Sequence, residues 1–392
     1  MSRTPAARAA VPPFAVMSIL GRVADLRAAG RDVISLCAGE PSSGAPADVR
    51  RAMAALMSGS VPLGYTETIG VRPLREALVG HYERWYGLTL DPASVAVTTG
   101  SSGAFTLAFL AAFDPGDRVA LARPGYPAYR NILTALGCTV VELDCGPEQG
   151  FRPDVALLEQ AHAEAPLAGL VLASPANPTG TMLAPDQLAA LAAWCRDAGV
   201  RLVSDEIYHG ITSGAGVGAC AWAYDRSSVV VSSFSKYWGM TGWRLGWCLV
   251  PDDLLAPFDA LAGNFALCAP VPAQHAALAA FTGASYAEAA AAVTTFDEAR
   301  RVLLDALPGL GWGAVAPADG AFYVYAELGD ALAPYPDSVA WCAALLEAEG
   351  VALTPGTDFD GVHGGTAVRI SLAAGPAAVA AAVGRIRRFQ QR

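Results

Sequence analysis

Val229-Val230-Val231-Ser232-Ser233-Phe234-Ser235-Lys236-Tyr237-Trp238-Gly239-Met240-Thr241-Gly242-Trp243-Arg244 is the stretch that decides the fold and points to the chemistry. The three valines make a short apolar run with strand character. The polar residues after it would therefore sit at the carboxyl end of a sheet strand, where α/β proteins place their ligands. Hydroxyls, an amine and a guanidinium so close together could serve one aldehyde and one phosphate. Lys236 is the only lysine in 392 residues, against twenty-five arginines. By count alone it could be a leftover surface residue, but its neighbours argue otherwise. Arginine keeps its proton, whereas a lysine amine can lose one and attack a carbonyl to form a Schiff base.

Outward from this stretch, short apolar runs alternate with helical patterns. Ser94–Thr98, Arg118–Leu121, Thr139–Leu143, Gly169–Leu172, Arg201–Ser204, Val229–Val231 and Trp243–Val250 read as strands, with Ser102–Phe113 and Pro185–Ala198 among the helices between them. In the latter helix, Leu188, Leu191, Ala192 and Cys195 share one face and Gly199 is the cap. Strands separated by helices imply parallel pairing, right-handed crossovers and a sheet covered on both faces. Beyond about Val271 the rhythm changes. Ser285–Leu307 reads as a long Ala-rich helix, followed by strand Ala321–Glu327, helix Ser338–Glu349, strands Val351–Thr354 and Ala367–Leu372, and helix Pro376–Phe389. This mix suggests a smaller α+β domain, with the apolar run Val33–Leu36 packing into it.

Composition excludes other classes. Apolar residues make up 53% and charged ones 16%, enough to bury a core and too little charge for a disordered chain. The net charge of −10 argues against a general nucleic-acid binder, because phosphate neutralisation drives that affinity. Pro12 and Pro13 break the N-terminal apolar run that a signal peptide needs, and Pro270 and Pro272 interrupt the longest uncharged stretch, so a cytoplasmic location is expected and no membrane segment. The eight scattered cysteines form no Cys-x-x-Cys or Cys/His cluster, so neither a metal site nor a disulfide framework is indicated.

Three further motifs follow predicted strands. Val97-Thr98-Thr99-Gly100-Ser101-Ser102-Gly103-Ala104-Phe105 reads as strand, glycine turn and helix start, whose free N–H groups could cradle an anion. A plain capped turn would look the same. Ala104 breaks the pattern of a nucleophile elbow, and a phosphate loop of the Walker type is excluded because the lysine lies elsewhere. Arg201-Leu202-Val203-Ser204-Asp205-Glu206-Ile207-Tyr208 puts two carboxylates at a strand end with no further ligand at metal spacing. Ser174-Pro175-Ala176-Asn177-Pro178-Thr179-Gly180 is a rigid turn.

Together these pieces resemble the class I and II aminotransferases, the fold-type I enzymes that use pyridoxal 5'-phosphate. The resemblance runs in order along nearly the whole chain: Gly39-Glu40-Pro41, Gly64-Tyr65, Gly70-Val71-Arg72-Pro73-Leu74-Arg75-Glu76-Ala77, Arg123-Pro124-Gly125-Tyr126-Pro127-Ala128-Tyr129, Asn177-Pro178-Thr179-Gly180, Asp205-Glu206-Ile207-Tyr208, Ser233-Phe234-Ser235-Lys236, Gly242-Trp243-Arg244-Leu245-Gly246, Ala321-Phe322-Tyr323 and Val368-Arg369-Ile370-Ser371. It implies a large domain, 45–271, around a mostly parallel seven-stranded sheet, and a smaller α+β domain from 1–44 and 272–392.

The resemblance also implies roles. Lys236 would hold the cofactor aldehyde as a Schiff base and then move the substrate proton. That needs an amine titrating near neutrality, so burial and nearby cations must depress it. Asp205 would pair with the pyridine nitrogen, and Tyr208 and Asn177 would bond the ring hydroxyl oxygen. The phosphate would sit against Ser101, Ser102, Gly103, Ser233 and Arg244, with Tyr126 stacked on the ring. Arg369, helped by Gly39, would clamp the substrate α-carboxylate. Tyr65 would reach the phosphate of a second subunit, which implies a homodimer. Gly103–Phe113 carries no cation for a second carboxylate, favouring a neutral or aromatic amino donor, with Phe14, Tyr237 and Trp238 near the site by analogy. Transamination by a ping-pong cycle is the expected reaction. A carbon–sulfur lyase or a replacement or cyclising enzyme would share every residue named, because fold and cofactor do not fix the reaction.

Overall fold

A computed structural model describes residues 4–214 and 216–392. In chain order the strands are β1 (Ile34–Ser35), β2 (Val95–Thr98), β3 (Arg118–Arg123), β4 (Thr139–Asp144), β5 (Gly169–Ala173), β6 (Arg201–Asp205), β7 (Val229–Ser233), β8 (Gly246–Leu249), β9 (Tyr323–Glu327), β10 (Val351–Ala352), β11 (Thr354–Pro355) and β12 (Ala367–Ser371). Strands β2 to β8 form one sheet in the order β2-β8-β7-β6-β5-β3-β4. Its pairings from β4 through β7 are parallel, as expected of strands joined by helices.

Strand β8 is the exception and runs against both β7 and β2. Parallel strands need a crossover long enough to cross the sheet, usually a helix. Residues 234–245 contain no helix beyond the single 3-10 turn Thr241–Trp243, so the chain doubles back. The expected strand Trp243–Val250 also starts late, at Gly246, because Arg244 adopts φ 52° and cannot join the ladder. This reversal positions the site. It brings the residues before β8, Arg244 among them, to the same edge as the carboxyl ends of the parallel strands.

Alternating side chains of the large sheet feed two cores, as a strand's period of two requires. Val95, Val97, Leu170, Leu172, Leu202, Val230, Trp247 and Leu249 face one side, which also takes in Ala273 to Tyr286. Ala96, Val119, Leu121, Val171, Val203, Val229, Val231 and Cys248 face the other, under the helix Gly100–Ala112. A third core surrounds β9 and β12, with Phe322, Val324, Val368 and Ile370 packed against helices Gly283–Ala306, Ser338–Glu349 and Pro376–Gln390. Here β12 lies antiparallel between β9 and β11. The run Val351–Thr354 divides into β10 and β11, because its two halves pair with different strands. Strand β10 runs parallel to β1, and β11 lies antiparallel to β12. Among the described residues no single helix is long and apolar enough to cross a membrane.

Candidate active site

Most of the residues singled out in the sequence leave the large sheet at one edge. Gly100 follows β2, Tyr126 follows β3, Asn177 follows β5, Asp205 ends β6, Ser233 ends β7 and Lys236 follows it. Arg369 comes from β12 and reaches the same place. Its guanidinium donates to Asn177 Oδ1 at 3.0 Å, to the carbonyl of Cys37 at 2.6 Å and to Thr354 Oγ1 at 3.4 Å.

Arg369 is buried, and among the described residues it has no carboxylate partner. Its guanidinium lies over the rings of Tyr323 and Phe359, 4.5 and 4.7 Å from their centroids. A buried cation stacked on aromatic faces and held only by neutral oxygens is short of an anion. Asp205 is the opposite case, a fully buried carboxylate at the sheet edge. Tyr129 Oη donates to one of its oxygens, and the N–H of Ile207 donates to the other at 3.0 Å. Burial dominates and raises its pKa to about 6, although both donors and the Lys236 charge pull it down. Such a carboxylate favours a cation beside it, as a protonated pyridine nitrogen would be.

Lys236 Nζ donates to the Gly39 carbonyl at 2.6 Å and lies 5.8 Å from the centre of the Tyr208 ring. Its pKa falls to about 8, chiefly through burial and then through the Arg369 charge, with Asp205 and Glu40 opposing. An amine titrating there is partly free base near neutral pH, as a nucleophile and proton carrier needs.

The anion cradle has suitable geometry. Thr99 gives the helix Gly100–Ala112 no side-chain cap, and its first turn carries no acidic residue. The N–H groups of its opening turn, at Ser101, Ser102 and Gly103, are therefore not occupied by a cap. The Arg244 guanidinium lies against Gly100, so closely that a Cβ there would strike it, and Gly100 sits at φ 67°. Gly246 is pressed onto the same turn, where a Cβ would come 2.8 Å from Ser101 N. Two glycines thus let backbone and guanidinium converge on one spot. Tyr126, after β3, is half-buried with its ring edge-on to that of Tyr129, which reaches Asp205. A buried carboxylate, a depressed amine, an uncapped helix start beside a guanidinium, and an aromatic face together fit pyridoxal phosphate.

Some expected residues stand elsewhere. Ser233 Oγ is buried, donates to the Leu245 carbonyl at 3.0 Å, accepts from Ser235 N at 3.0 Å and lies 2.8 Å from Ser235 Oγ, so its present partners brace the lysine turn. Tyr65, expected to reach a second subunit, is 83% exposed. Phe14 does lie at the site, its ring stacked on Tyr126 with centroids 6.1 Å apart. Tyr237 and Trp238 instead pack among Trp85, Phe281 and Tyr286, because an aromatic cluster on the β7–β8 side offers them more apolar surface. Glu206 turns away from Asp205. Its Oε1 accepts from Ala221 N at 2.7 Å and Ser204 Oγ at 3.1 Å, inside the opposite core.

Two site tyrosines carry no role in the sequence reading. Tyr129 reaches Asp205 from the first turn of the helix Pro127–Leu136, three residues after Tyr126 and so on the same side. That spacing was a readable signal. Tyr323, at the start of β9, holds its hydroxyl 2.8 Å from that of Tyr208; the motif Ala321-Phe322-Tyr323 marks its place in the chain but not this partner.

The family model for aminotransferase class I and II matches residues 31–386. A valine–pyruvate aminotransferase of Mycobacterium tuberculosis is 52% identical over 94% of both chains. An aspartate/prephenate aminotransferase of Thermus thermophilus is 35% identical over 89% of this chain and 90% of its own. The crystal structure of an aminotransferase from Mycobacterium tuberculosis superposes with a TM-score of 0.95 at 49% identity, covering 100% of each chain.

Proposed function

This chain belongs to the class I and II aminotransferases, the pyridoxal-phosphate-dependent enzymes that transfer amino groups between amino acids and 2-oxo acids, and from that premise we propose that its amino donor is neutral. One observation carries the choice. Among the described residues two guanidinium groups of the site have no carboxylate partner, Arg244 at the cradle and Arg369 beside Asn177, and two anions would claim them, the cofactor phosphate and the substrate α-carboxylate; Arg152, which lines the pocket beside Tyr126 and Asn177, is already paired with Asp319. Ser101 and Ser102 leave no further cation on the first turn of the nearby helix for a second carboxylate. The likeness to a valine–pyruvate aminotransferase supports a small apolar donor with pyruvate as its partner oxo acid.

The cofactor supplies an aldehyde and an electron-withdrawing ring. In this reading Arg369 fixes the carboxylate, Asn177 and Tyr208 orient the ring oxygen, and Asp205 holds a proton on the ring nitrogen. Tyr126 covers one face. Lys236 would hold the cofactor aldehyde, and its amine would carry the proton removed from the substrate Cα. The N–H groups at Ser101, Ser102 and Gly103, with Arg244, would hold the phosphate. The active unit in this proposal is a homodimer with Tyr65 reaching across. Its support is that Tyr65 is exposed together with Met57, Val61, Phe265 and Leu267, an apolar set suited to burial against a second copy. Residues 45–271 would form the cofactor-bearing unit, and 1–44 with 272–392 the unit that carries Arg369.

The test is a half-reaction screen. The purified enzyme is mixed with single amino acids while the cofactor absorbance is followed. Conversion to the pyridoxamine form is expected with valine or alanine and not with aspartate at equal concentration. Preferential conversion by aspartate or glutamate would overturn the neutral-donor reading.

A further inference from the structure

Tyr323 stands where three parts of the site meet, and the sequence reading gives it no task. It is almost wholly buried at the first position of β9. Its hydroxyl lies 2.8 Å from the Tyr208 hydroxyl, and its ring lies under the Arg369 guanidinium. On a third side it faces Gly39, where a Cβ would come 2.6 Å from the Tyr323 hydroxyl oxygen. The next nearest atom to that Cβ is Tyr323 Cζ at 3.8 Å, an ordinary contact. The hydroxyl alone excludes a side chain at 39. Gly39 is also the residue whose carbonyl receives Lys236 Nζ.

We propose that Tyr323 is a positioning residue that sets the Tyr208 hydroxyl and the Arg369 guanidinium in register, and that its hydroxyl is the reason residue 39 is glycine. The inference rests on the roles given above to Tyr208 and Arg369. Both phenols are buried, and burial holds them neutral through the working pH range. A neutral hydroxyl pair shares one proton between its oxygens, so when Tyr323 donates, Tyr208 keeps its own proton for an acceptor in the site. The ring has a separate task. A cation 4.5 Å from the ring centre is attracted to that aromatic face, which limits how far the guanidinium can swing from the place where it meets a carboxylate.

Four variants separate these tasks. Tyr323→Phe keeps the ring and removes the hydroxyl. The amino-donor KM is expected to stay within about threefold while kcat falls about tenfold, the usual scale for one hydrogen bond. The midpoint of the bound cofactor's absorbance change with pH should move with it. Tyr323→Leu also removes the ring and should raise KM about tenfold. Gly39→Ala should lower the melting temperature of the ligand-free protein, and Gly39→Ala combined with Tyr323→Phe should recover it, because the colliding atom is gone. That last comparison involves neither cofactor nor substrate. A double variant no more stable than Gly39→Ala, or a Tyr323→Phe enzyme with an unmoved pH midpoint, overturns the inference. Failure of the underlying site reading looks different, because Arg369→Gln would then leave KM unchanged whatever residue 323 is.

Discussion

Replacing Arg369 by Gln tests the site most directly, because the structure predicts a large loss of binding and almost no change in stability. In the wild type the guanidinium is buried, its neighbours Asn177, Cys37 and Thr354 offer only neutral oxygens, and its Nε has no partner among the described residues. A substrate carboxylate would give it the missing counter-charge through two parallel N–H···O bonds. Removing one partner of such a buried pair costs about 2–5 kcal/mol. At 1.4 kcal/mol per decade this is a fall of roughly 30- to 4000-fold in kcat/KM, carried mainly by KM.

The ligand-free protein should barely respond. Desolvating an unpaired cation opposes folding, and the Gln amide can still donate to the Cys37 carbonyl, so losses and gains nearly cancel. A melting temperature within about 2 °C of wild type is expected, the scale of changes below 1 kcal/mol in a chain of this size. The assay is a half-reaction titration with L-alanine or L-valine, followed by cofactor absorbance. An unreactive monocarboxylate such as isovalerate should compete in the wild type and not in the variant. Half-saturation within threefold of wild type would refute the reasoning. So would a collapse of the ligand-free melting temperature, since that would make Arg369 a structural cation and not one awaiting a ligand.

Three further outcomes follow from the same electrostatics. With one lysine in the chain, amine-directed labelling followed by peptide mapping reads Lys236 alone; in the ligand-free protein its midpoint should fall near pH 8, rise in Arg369→Gln because a repelling cation is gone, and drop in Asp205→Asn because an attracting anion is gone. Asp205 titrates at about 6 in the fold against an ordinary 3.8, so its contribution to stability is present at low pH and is lost as pH rises through about 6. Ligand-free Asp205→Asn should therefore gain on wild type by on the order of 2–3 kcal/mol in denaturant melts at pH 8, and the gain should vanish below about pH 4. Gly100→Ala, at positive φ with Arg244 in the way, should weaken pyridoxal phosphate binding at least tenfold in reconstitution, from strain of about 1–2 kcal/mol plus a displaced guanidinium, while binding of pyridoxal without phosphate changes little.

What the sequence could disclose was set by how local each cause is. The parallel strands are legible because burial on both faces writes them as unbroken apolar runs, and the loops after them are legible because polar and glycine residues must follow. Direction is a different matter. Nothing in Gly246–Leu249 distinguishes a parallel from an antiparallel strand, and only the shortness of the link from β7, too brief for a helical crossover, could have announced the reversal that carries Arg244 to the site. The aromatic residues after Lys236 are equally ambiguous, since a Tyr-Trp pair serves a core as well as a pocket, and the neighbouring cluster of Trp85, Phe281 and Tyr286 decided it. Tyr323 marks the limit. It lies 115 residues from Tyr208, and its task arises only when β9 is laid against the large sheet's edge. Yet the glycine facing it was visible throughout as Gly39-Glu40-Pro41, a small residue with no turn to explain it. The structure gives that glycine a cause on the far side of the chain, a phenol oxygen standing where its Cβ would be.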